Sequence, residues 1–373
     1  MAVYIGRMSR PLTAAADPRL LKGRGARSNA SSRYDTEKRV RFDDGWNRDD
    51  EEPPPLKTEI IRDSTRTIIT RNDSPDISFD RSINPYRGCE HGCVYCFARP
   101  THAYLGLSPG LDFESKILVK PDAAKLLDAE LRKPSYRPAV IAMGTNTDPY
   151  QPIERDLRIT RSILQVLAEF KHPVGIVTKS AAITRDIDIL GPMAAEGLAK
   201  VAVSITTLDR KLARSMEPRA ATPARRLETV RALADAGIPV AVMAAPMIPA
   251  LNDDEMEAIL AEAAAHGATQ AGYTLLRLPL EIKDLFREWL ETHEPGRGKH
   301  VMSLIRSMRG GKDYDATWGK RMTGSGPYAR MIAQRFAIAT RRLGLNKNRT
   351  PLDSGKFRPP PRTGDQLALD LVS

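Results

Sequence analysis

The sequence predicts an α/β fold, either a partial (β/α)6 barrel or a large open α/β sheet. The first observation behind this prediction is a rhythm that begins near residue 82, where short apolar runs start to alternate with longer helical stretches. The second is size: at 373 residues, of which 41% are hydrophobic, the chain can bury a sizeable core. Strands joined through crossover helices run parallel, which favours a barrel or an open parallel sheet.

The predicted strands are short apolar runs of the kind that parallel sheets bury on both faces. They span residues 82–86, 139–143, 174–178, 201–205, 240–244 and 272–278. The predicted helices span residues 122–131, 154–170, 184–190, 223–236 and 253–265. Asn252 is predicted to cap the last of these helices, ahead of three acidic residues in its first turn, and Gly267 to end it. Gly237 is predicted to end the helix before it.

Composition divides the chain into four predicted segments. Residues 1–75 form a mostly disordered arm, 76–295 the barrel, 296–345 a basic helical extension and 346–373 a disordered tail. Within the extension, Pro327 suits the first turn of a helix. Its apolar stripe is predicted to pack on the barrel and comprises Tyr328, Met331, Ile332 and Phe336.

The most informative residues are three cysteines, Cys89, Cys93 and Cys96, which lie within eight residues and are the only cysteines in the chain. A structural disulfide network is therefore excluded. Thiolates at this C-x3-C-x2-C spacing can converge on one iron-sulfur cluster. A closed cluster usually takes four cysteine ligands, so one iron is left for another ligand. An open metal position is where chemistry takes place.

Together with Tyr95, the cysteines match the C-x3-C-x-aromatic-C signature of the radical S-adenosylmethionine (SAM) superfamily, which the chain resembles. The resemblance implies a [4Fe-4S] cluster held by Cys89, Cys93 and Cys96, with SAM on the fourth iron and Tyr95 beside its adenine. It implies that an electron from the cluster cleaves SAM into methionine and a 5′-deoxyadenosyl radical, which abstracts hydrogen from a substrate. It also implies a partial barrel with the cluster loop after the first strand, and a reductant such as flavodoxin or ferredoxin.

A structural zinc site is the alternative interpretation of the cysteines, with His91 or His102 as the fourth ligand. Zinc sites usually contain paired C-x2-C or His-x3–5-His elements, and no second pair exists in this sequence. The spacing therefore favours the cluster.

Ligands of parallel α/β folds bind at the carboxyl ends of strands. Thr145, Asn146, Thr147 and Asp148 follow the second strand, where radical SAM proteins bind the SAM amino group. The Thr-Asp-Pro-Tyr-Gln-Pro-x-Glu motif of residues 147–154 departs from the family's Gly-Gly-Glu and resembles the spore photoproduct lyase branch. Its alternative interpretation is a proline-rich turn that caps the next helix.

Polar residues after later strands complete the predicted SAM site. Lys179 would neutralise the SAM carboxylate or a substrate phosphate, unless it is a solvated loop lysine. Ser204 and Thr206 lie where family members contact the ribose, although such residues are common in strands. Arg219 suits recognition of methionine or of a substrate phosphate. Asn252 would be the polar edge of the adenine pocket.

The lyase resemblance covers roughly residues 82–278 and has one gap. Spore photoproduct lyases use a cysteine outside the cluster to return hydrogen to the product, and this chain has no cysteine left for that step. A thymine-dimer lyase with that relay is therefore disfavoured. Tyr150 and Tyr273 are the candidate replacements for the thiol.

The net charge of +11 is unevenly distributed. Residues 297–373 carry sixteen Lys or Arg against five Asp or Glu, which accounts for the whole excess. This suggests contact with nucleic acid, the alternative being a solvated basic surface without a partner. At the end of the predicted tail, Gln366–Leu371 resembles the short peptides that bind the bacterial sliding clamp.

No apolar run of about eighteen residues and no secretory h-region occur, which predicts a protein that neither spans a membrane nor is secreted. Reduced cysteines and an oxygen-sensitive cluster favour the cytoplasm. The sequence therefore predicts a radical SAM enzyme acting on nucleic acid, in repair or modification. The alternatives are a radical SAM enzyme acting on a protein or small metabolite, and a non-catalytic zinc or iron-sulfur protein that binds nucleic acid.

Overall fold

The computed structural model describes residues 22–35, 56–348 and 351–361. Its strands, in chain order, are β1 (Glu59–Arg62), β2 (Ile69–Arg71), β3 (Arg81–Ile83), β4 (Tyr86–Arg87), β5 (Lys116–Val119), β6 (Ile141–Met143), β7 (Val174–Thr178), β8 (Ala199–Ser204), β9 (Val240–Met247) and β10 (Gln270–Leu275). The main sheet has the spatial order β10-β9-β8-β7-β6-β3-β2, while β1, β5 and β4 form a small separate sheet. The first six strands of that order are parallel and only β2 is antiparallel. This confirms the predicted fold class, a partial (β/α)6 barrel.

The α-helices connect these strands and extend beyond them. They are α1 (Leu111–Ser115), α2 (Ala123–Leu131), α3 (Glu154–Leu157), α4 (Ile159–Glu169), α5 (Ile187–Ala195), α6 (Arg210–Met216), α7 (Pro223–Asp235), α8 (Met256–Ala265), α9 (Ile282–His293), α10 (Gly298–Ser307) and α11 (Gly326–Arg342). Short 3-10 turns occupy Arg99–Leu105, Ala181–Asp186 and Asp253–Glu255. Among the described residues, no helix has both the length and the apolar character needed to cross a bilayer.

The predicted helix over 154–170 is two helices in the structure. Arg158 adopts a left-handed backbone (φ 52°) between α3 and α4, which ends the first and reorients the second. The carboxylate of Glu154 then accepts the backbone N–H groups of Thr160 (3.0 Å) and Arg161 (3.4 Å) at the start of α4. The apolar pattern continues through residues 154–170, so it did not predict the break at Arg158. The buried carboxylate of Glu154 stabilises that break.

Parts of both predicted disordered segments are ordered. In the N-terminal segment, β1 and β2 pair with β5 and β3, and Ala26 is fully buried. In the C-terminal segment, Phe357 packs near Phe170, and the backbone N–H of Arg358 donates to the Phe170 carbonyl (2.9 Å). These segments dock through single residues and short pairings, which leave no periodic pattern in the sequence.

The parallel sheet separates two packing layers. The large core lies between the sheet and α2, α4, α7 and α8, and includes Ile163, Val203 and Leu260. A second apolar cluster joins the residues around Cys93 to α9 and α10, through Phe286 and Val301. Packing therefore continues across the predicted boundary between residues 295 and 296. The predicted stripe of α11 does meet the core, with Ile332 fully buried, while Met331 remains exposed.

The other face of the barrel sheet carries several small residues among larger ones. Strand register places this face at Ala142, Gly175, Ala202, Ala241 and Gly272, whose neighbours along each strand point to the helices. At Gly272 the position of a Cβ would lie 2.8 Å from Met243 Sδ, so a larger residue would displace that methionine. This face therefore combines small residues with larger ones such as Lys200 and Met243.

Candidate functional site

The cysteine loop, residues 88–96, follows β4 at the carboxyl end of the first parallel strand. Cys89 and Cys93 are buried and Cys96 is half-buried. Burial is the main cause that raises the pKa of all three thiols, and Asp148 raises that of Cys89 further. The free thiols are therefore protonated at neutral pH, and binding of iron would displace their protons.

Two glycines permit the path of this loop. Gly88 and Gly92 have left-handed backbones, with φ of 86° and 68°. A Cβ at Gly88 would lie 2.9 Å from both the His102 ring and the Phe113 carbonyl, and one at Gly92 would lie 2.8 Å from the Glu114 carboxylate. Only glycine fits these positions without moving the neighbours.

The donor set fits a cluster with one open iron. The three thiols come from a single loop and supply three of the four protein ligands that a closed cluster takes. Among the described residues, no three His, Cys, Asp or Glu side chains are grouped as ligands of a single metal ion. Both candidate fourth ligands for zinc have protein contacts: His91 Nδ1 lies 3.4 Å from Asp148, and His102 Nε2 lies 3.0 Å from the Lys116 carbonyl.

The motif at residues 147–154 supports the cysteine loop. The side-chain oxygen of Gln151 accepts the Glu90 backbone N–H (2.8 Å), while its amide nitrogen donates to the Gly88 carbonyl (3.2 Å). In return, the carboxylate of Glu90 accepts the backbone N–H of Ile153 (2.8 Å). Thr147 donates its hydroxyl to the Tyr86 carbonyl (2.8 Å). The motif is thus more than a turn, because it fixes the loop through three hydrogen bonds and the preceding strand β4 through a fourth.

Asp148 joins the ends of β6 and β7. Its carboxylate accepts the Thr178 hydroxyl (2.7 Å) and the backbone N–H groups of Lys179 (2.7 Å) and Tyr150 (2.9 Å). Burial would raise the pKa of Asp148, but His91 and these hydrogen bonds outweigh it and hold that pKa at about 2. Asp148 is therefore ionised and already engaged by the protein.

Thr145 and Asn146 differ from their two neighbours in the motif. Both are partly exposed at the end of β6, and the backbone N–H of Asn146 donates to the Asn84 side chain (3.2 Å). Of the four residues predicted to receive the SAM amino group, these two present accessible side chains. Their role towards SAM remains a prediction.

A buried network surrounds Tyr95. Its phenol donates to the Glu217 carboxylate and lies 3.1 Å from the Thr206 hydroxyl, which also donates to Glu217 (2.6 Å). Arg226 forms an ion pair with the other oxygen of Glu217 and donates to the Ser204 carbonyl (3.0 Å). Burial raises the pKa of Glu217, and Arg226 opposes that rise. The hydroxyl of Thr206, predicted to contact ribose, is therefore used within the protein.

Lys179, directly after β7, and Ser204, the last residue of β8, lie together beside the cysteine loop. Lys179 Nζ is 3.2 Å from the Ser204 hydroxyl and 5.8 Å from the centroid of the Tyr95 ring. Its positive charge opposes the rise in the pKa of Cys93 that burial causes. Lys179 is half-exposed, so its ammonium can also face an anionic ligand next to the cysteines.

Arg219 and Asn252 have protein partners that the sequence did not predict. Arg219 forms an ion pair with Glu90 (2.9 Å), so it borders the cysteine loop. Asn252 is fully buried, and its side chain does not cap the following turn. Its amide instead bonds the Ile248 N–H (2.7 Å) and the Thr206 carbonyl (2.6 Å), which ties the loop after β9 to β8. The predicted N-cap is therefore wrong, and both polar atoms of Asn252 are engaged by backbone.

Neither candidate replacement for the missing thiol faces the interior of the barrel. Tyr150 is almost fully buried in the core between sheet and helices, near Arg185. Tyr273 pairs with Ala244 on the helix-covered face of the sheet, and its ring packs 4.8 Å from that of Phe336. The alternation of residues along β10 places the Tyr273 ring on that face, whereas Tyr150 lies in the turn that follows β6.

The sequence interpretation missed an ion pair beneath the cysteine loop. Arg99 and Glu114 are completely buried at 2.5 Å from each other. Arg99 also donates to the carbonyls of Cys93 (2.9 Å) and Gly92 (3.2 Å), while Glu114 accepts the backbone N–H groups of residues 25 and 26 (2.9 and 2.8 Å). The pair thus binds the loop on one side and the N-terminal segment on the other.

Comparisons with known proteins agree with this arrangement. The family model described as "Radical SAM superfamily" matches residues 83–263. An uncharacterized protein of Mycobacterium tuberculosis is 39% identical over 232 residues, which are 62% of this chain and 68% of that protein. An uncharacterized protein of Methanocaldococcus jannaschii is 28% identical over 199 residues, covering 53% and 71%.

Solved structures of spore photoproduct lyase share the fold. One superposes with a TM-score of 0.52 at 16% identity, covering 77% of this chain and 80% of that one. Another, complexed with dinucleoside spore photoproduct, has a TM-score of 0.51 at 18% identity, covering 76% and 78%. With the signature cysteines in the loop after the first parallel strand, the chain belongs to the radical SAM superfamily, an enzyme family whose cofactors are a [4Fe-4S] cluster and SAM.

Proposed function

We propose that this radical SAM enzyme abstracts a hydrogen atom from a nucleic acid substrate, in repair or modification. The observation that carries the proposal is the position of the basic segment 297–361. Its helix α10 packs in the same apolar cluster as Val94 and Tyr95, which brings the start of the basic segment to the side of the cysteine loop.

The exposed charges of this segment support a polyanionic substrate. Exposed lysines and arginines with no ion pair among the described residues are Lys299, Lys312, Lys320, Arg330, Arg341, Arg342, Lys347, Lys356 and Arg358. The indole of Trp318, 55% exposed, lies between Lys312 and Lys320 in sequence. Free cations next to exposed aromatic rings are the pattern by which proteins hold single-stranded nucleic acid.

A second basic surface lies next to the Tyr95 network. A cleft of about 690 Å³ opens beside Glu217 and is bordered by Arg210, Lys211 and Arg214 of α6. All three side chains are exposed, and none has an ion pair within the described ranges. The cysteine loop thus has positive charge on two sides, which would draw a phosphate backbone across the open end of the barrel.

The residues of the site have distinct tasks in this proposal. The cluster, when bound, supplies the electron for reductive cleavage of SAM. Cys89, Cys93 and Cys96 would hold it, and Lys179 would neutralise the carboxylate of SAM beside Ser204. Spore photoproduct lyase, which shares the fold, forms a complex with dinucleoside spore photoproduct, and this supports the same substrate class.

The reaction differs from the relay that the lyase resemblance implies. All three cysteines belong to the signature, and the structure places Tyr150 and Tyr273 on the helix-covered side. Hydrogen return to the product through a residue at those two positions is therefore no part of the proposal. The reduced state that the cluster needs suits the cytoplasm.

The test is release of 5′-deoxyadenosine by the anaerobically reconstituted full chain, with Cys93→Ala as the control. We expect release that depends on Cys93 and rises when single-stranded DNA or RNA is added. Deuterium transferred from a labelled oligonucleotide into 5′-deoxyadenosine would identify the substrate class directly. Release that no nucleic acid stimulates would favour a protein or metabolite substrate. A protein that binds oligonucleotides but never cleaves SAM would contradict the catalytic role.

A further inference from the structure

An arginine and a phenylalanine border the cysteine loop on the side of the last strand. Arg277 lies two residues beyond β10, at the carboxyl end of the barrel. Its guanidinium carbon is 4.8 Å from the centroid of Phe97, the residue directly after Cys96. The Phe97 ring is 42% exposed, so this cation–aromatic pair is open to a ligand held at the loop.

Arg277 has weaker partners than the buried arginines around it. Arg99 and Arg226 each have a buried carboxylate, and Arg309 donates to the carbonyls of residues 320 (2.7 Å) and 276 (2.9 Å). Arg277 donates only to the Tyr314 hydroxyl (3.4 Å) and to a methionine sulfur (3.7 Å) among the described residues, and its Nε is buried without a partner. A half-buried guanidinium without a strong acceptor is costly, as expected where a ligand supplies the acceptor.

The loop that follows α10 in the same chain holds the Arg277 guanidinium in place. Arg309 anchors the loop 308–325 to the backbone of Leu276, and the N–H of Leu275 donates to the Met322 carbonyl (2.9 Å). Tyr314, in the same loop, contacts Arg277 directly. Of the acidic side chains in the loop, Asp315 accepts the backbone N–H of residue 317 (2.9 Å) and Asp313 pairs with Arg287 and Arg306; neither makes an ion pair with Arg277 within the described ranges.

We propose that Arg277 and Phe97 form a nucleotide subsite, in which Arg277 binds a phosphate of the substrate and Phe97 stacks on the adjoining base. The inference rests on the proposed function and names the residues that would recognise its nucleic acid substrate. Guanidinium groups match phosphate oxygens bidentately, and an exposed ring beside a cation accepts any base by stacking. The subsite adjoins Cys96, so a nucleotide bound there lies next to the site of SAM cleavage.

The experiment measures the Kd of the full chain for a fluorescent single-stranded oligonucleotide over a range of salt concentrations. We expect Arg277→Gln to raise Kd about tenfold and to reduce the slope of log Kd against log salt by about 0.7, the loss of one phosphate contact. Phe97→Leu should raise Kd about fivefold with an unchanged slope, because stacking involves no counterion release. Arg231→Gln, which removes an exposed arginine on α7, is the matched control and should behave as wild type.

The outcomes separate the subsite from the proposed function. If the wild-type chain binds and Arg277→Gln matches Arg231→Gln in both Kd and slope, the subsite is wrong and the nucleic acid substrate stands. If the wild-type chain shows no salt-dependent binding, the nucleic acid substrate fails and the subsite fails with it. Thermal unfolding checks each variant. Should Arg277→Gln not fold, Arg277→Lys keeps the positive charge but lacks the paired N–H donors of a guanidinium. An unchanged Kd in that variant would overturn bidentate binding.

Discussion

The two ends of the barrel are held together by different interactions. At the cysteine end, where the parallel strands terminate, buried charges such as Arg99, Glu114 and Glu217 fix the loop through directed hydrogen bonds. At the amino end, Phe357 packs against Phe170 and His172 with ring centroids 6.2 and 5.5 Å apart. Buried charges define positions sharply but are costly when a partner is lost, whereas aromatic packing adds stability without fixing single atoms. The cysteine end therefore depends on precise hydrogen-bond geometry around buried charges, whereas the amino end depends on the packing of aromatic rings.

The largest effect should come from breaking the ion pair beneath the cysteine loop. Glu114→Gln leaves the Arg99 guanidinium buried without a charge partner, and such a loss costs about 3–5 kcal/mol. We expect urea unfolding to report this loss and the variant to retain less iron after reconstitution. The paired replacement Arg99→Met with Glu114→Leu should cost less than the single one, because no charge is left unpaired. A single variant as stable as wild type would refute the comparison at this end.

A pH effect of intermediate size should come from the amino end. His172 lies 2.7 Å from the Tyr136 hydroxyl, and burial lowers its pKa to about 4 from an ordinary value near 6.5. The unfolded chain therefore binds this proton more readily. The contribution of His172 to the free energy of unfolding is complete above pH 6.5 and is lost as the pH falls towards 4. This amounts to about 3 kcal/mol at most.

The measurement is urea unfolding between pH 7 and pH 4. His172→Gln should be less stable at neutral pH and show a shallower decline on acidification. His102, whose pKa burial also lowers to about 4, contributes to the slope that remains. An identical slope in wild type and variant would show that His172 titrates normally in the folded chain.

A smaller effect should follow removal of the docked tail ring. Phe357 is half-buried, so Phe357→Ala should cost about 2 kcal/mol through lost contact area and aromatic pairing. We expect urea unfolding to show that loss while iron content and SAM cleavage stay as in wild type. Loss of iron in this variant would mean that the two ends are coupled, against the comparison. Phe357→Leu is the conservative control and should recover part of the stability.

The sequence predicted the strands well because buried parallel strands are continuous apolar runs. All six lie within three residues of their predicted ends, and 174–178 coincides with β7. The three cysteines stood out equally clearly, since three thiols in one loop have few alternatives, and their role as cluster ligands stays a prediction. Patterns of this kind depend only on neighbours along the chain.

The remainder of the site depends on contacts between distant residues. Gln151 and Glu90 are separated by 61 positions and Tyr95 and Glu217 by 122, so no local period connects them. Asn252 looked like a helix cap because its sequence context matched one, yet its amide bonds the β8 end instead. Arg277 carries no motif and stands out only once its neighbours are known. The role of Gln366–Leu371 as a clamp-binding peptide stays a prediction, because these residues lie outside the described ranges.

The distance in sequence between Tyr95 and Glu217 has a consequence for biosynthesis. Val94 and Tyr95 take their partners from residues 216 and 217, so the loop cannot adopt its buried form until those residues have left the ribosome. At roughly 5–20 residues per second, the interval is about 6–24 s. During that time the thiols of the nascent chain are exposed to iron donors and to oxidants alike. The buried form of the cysteine loop can therefore form only after residue 217 has been synthesised.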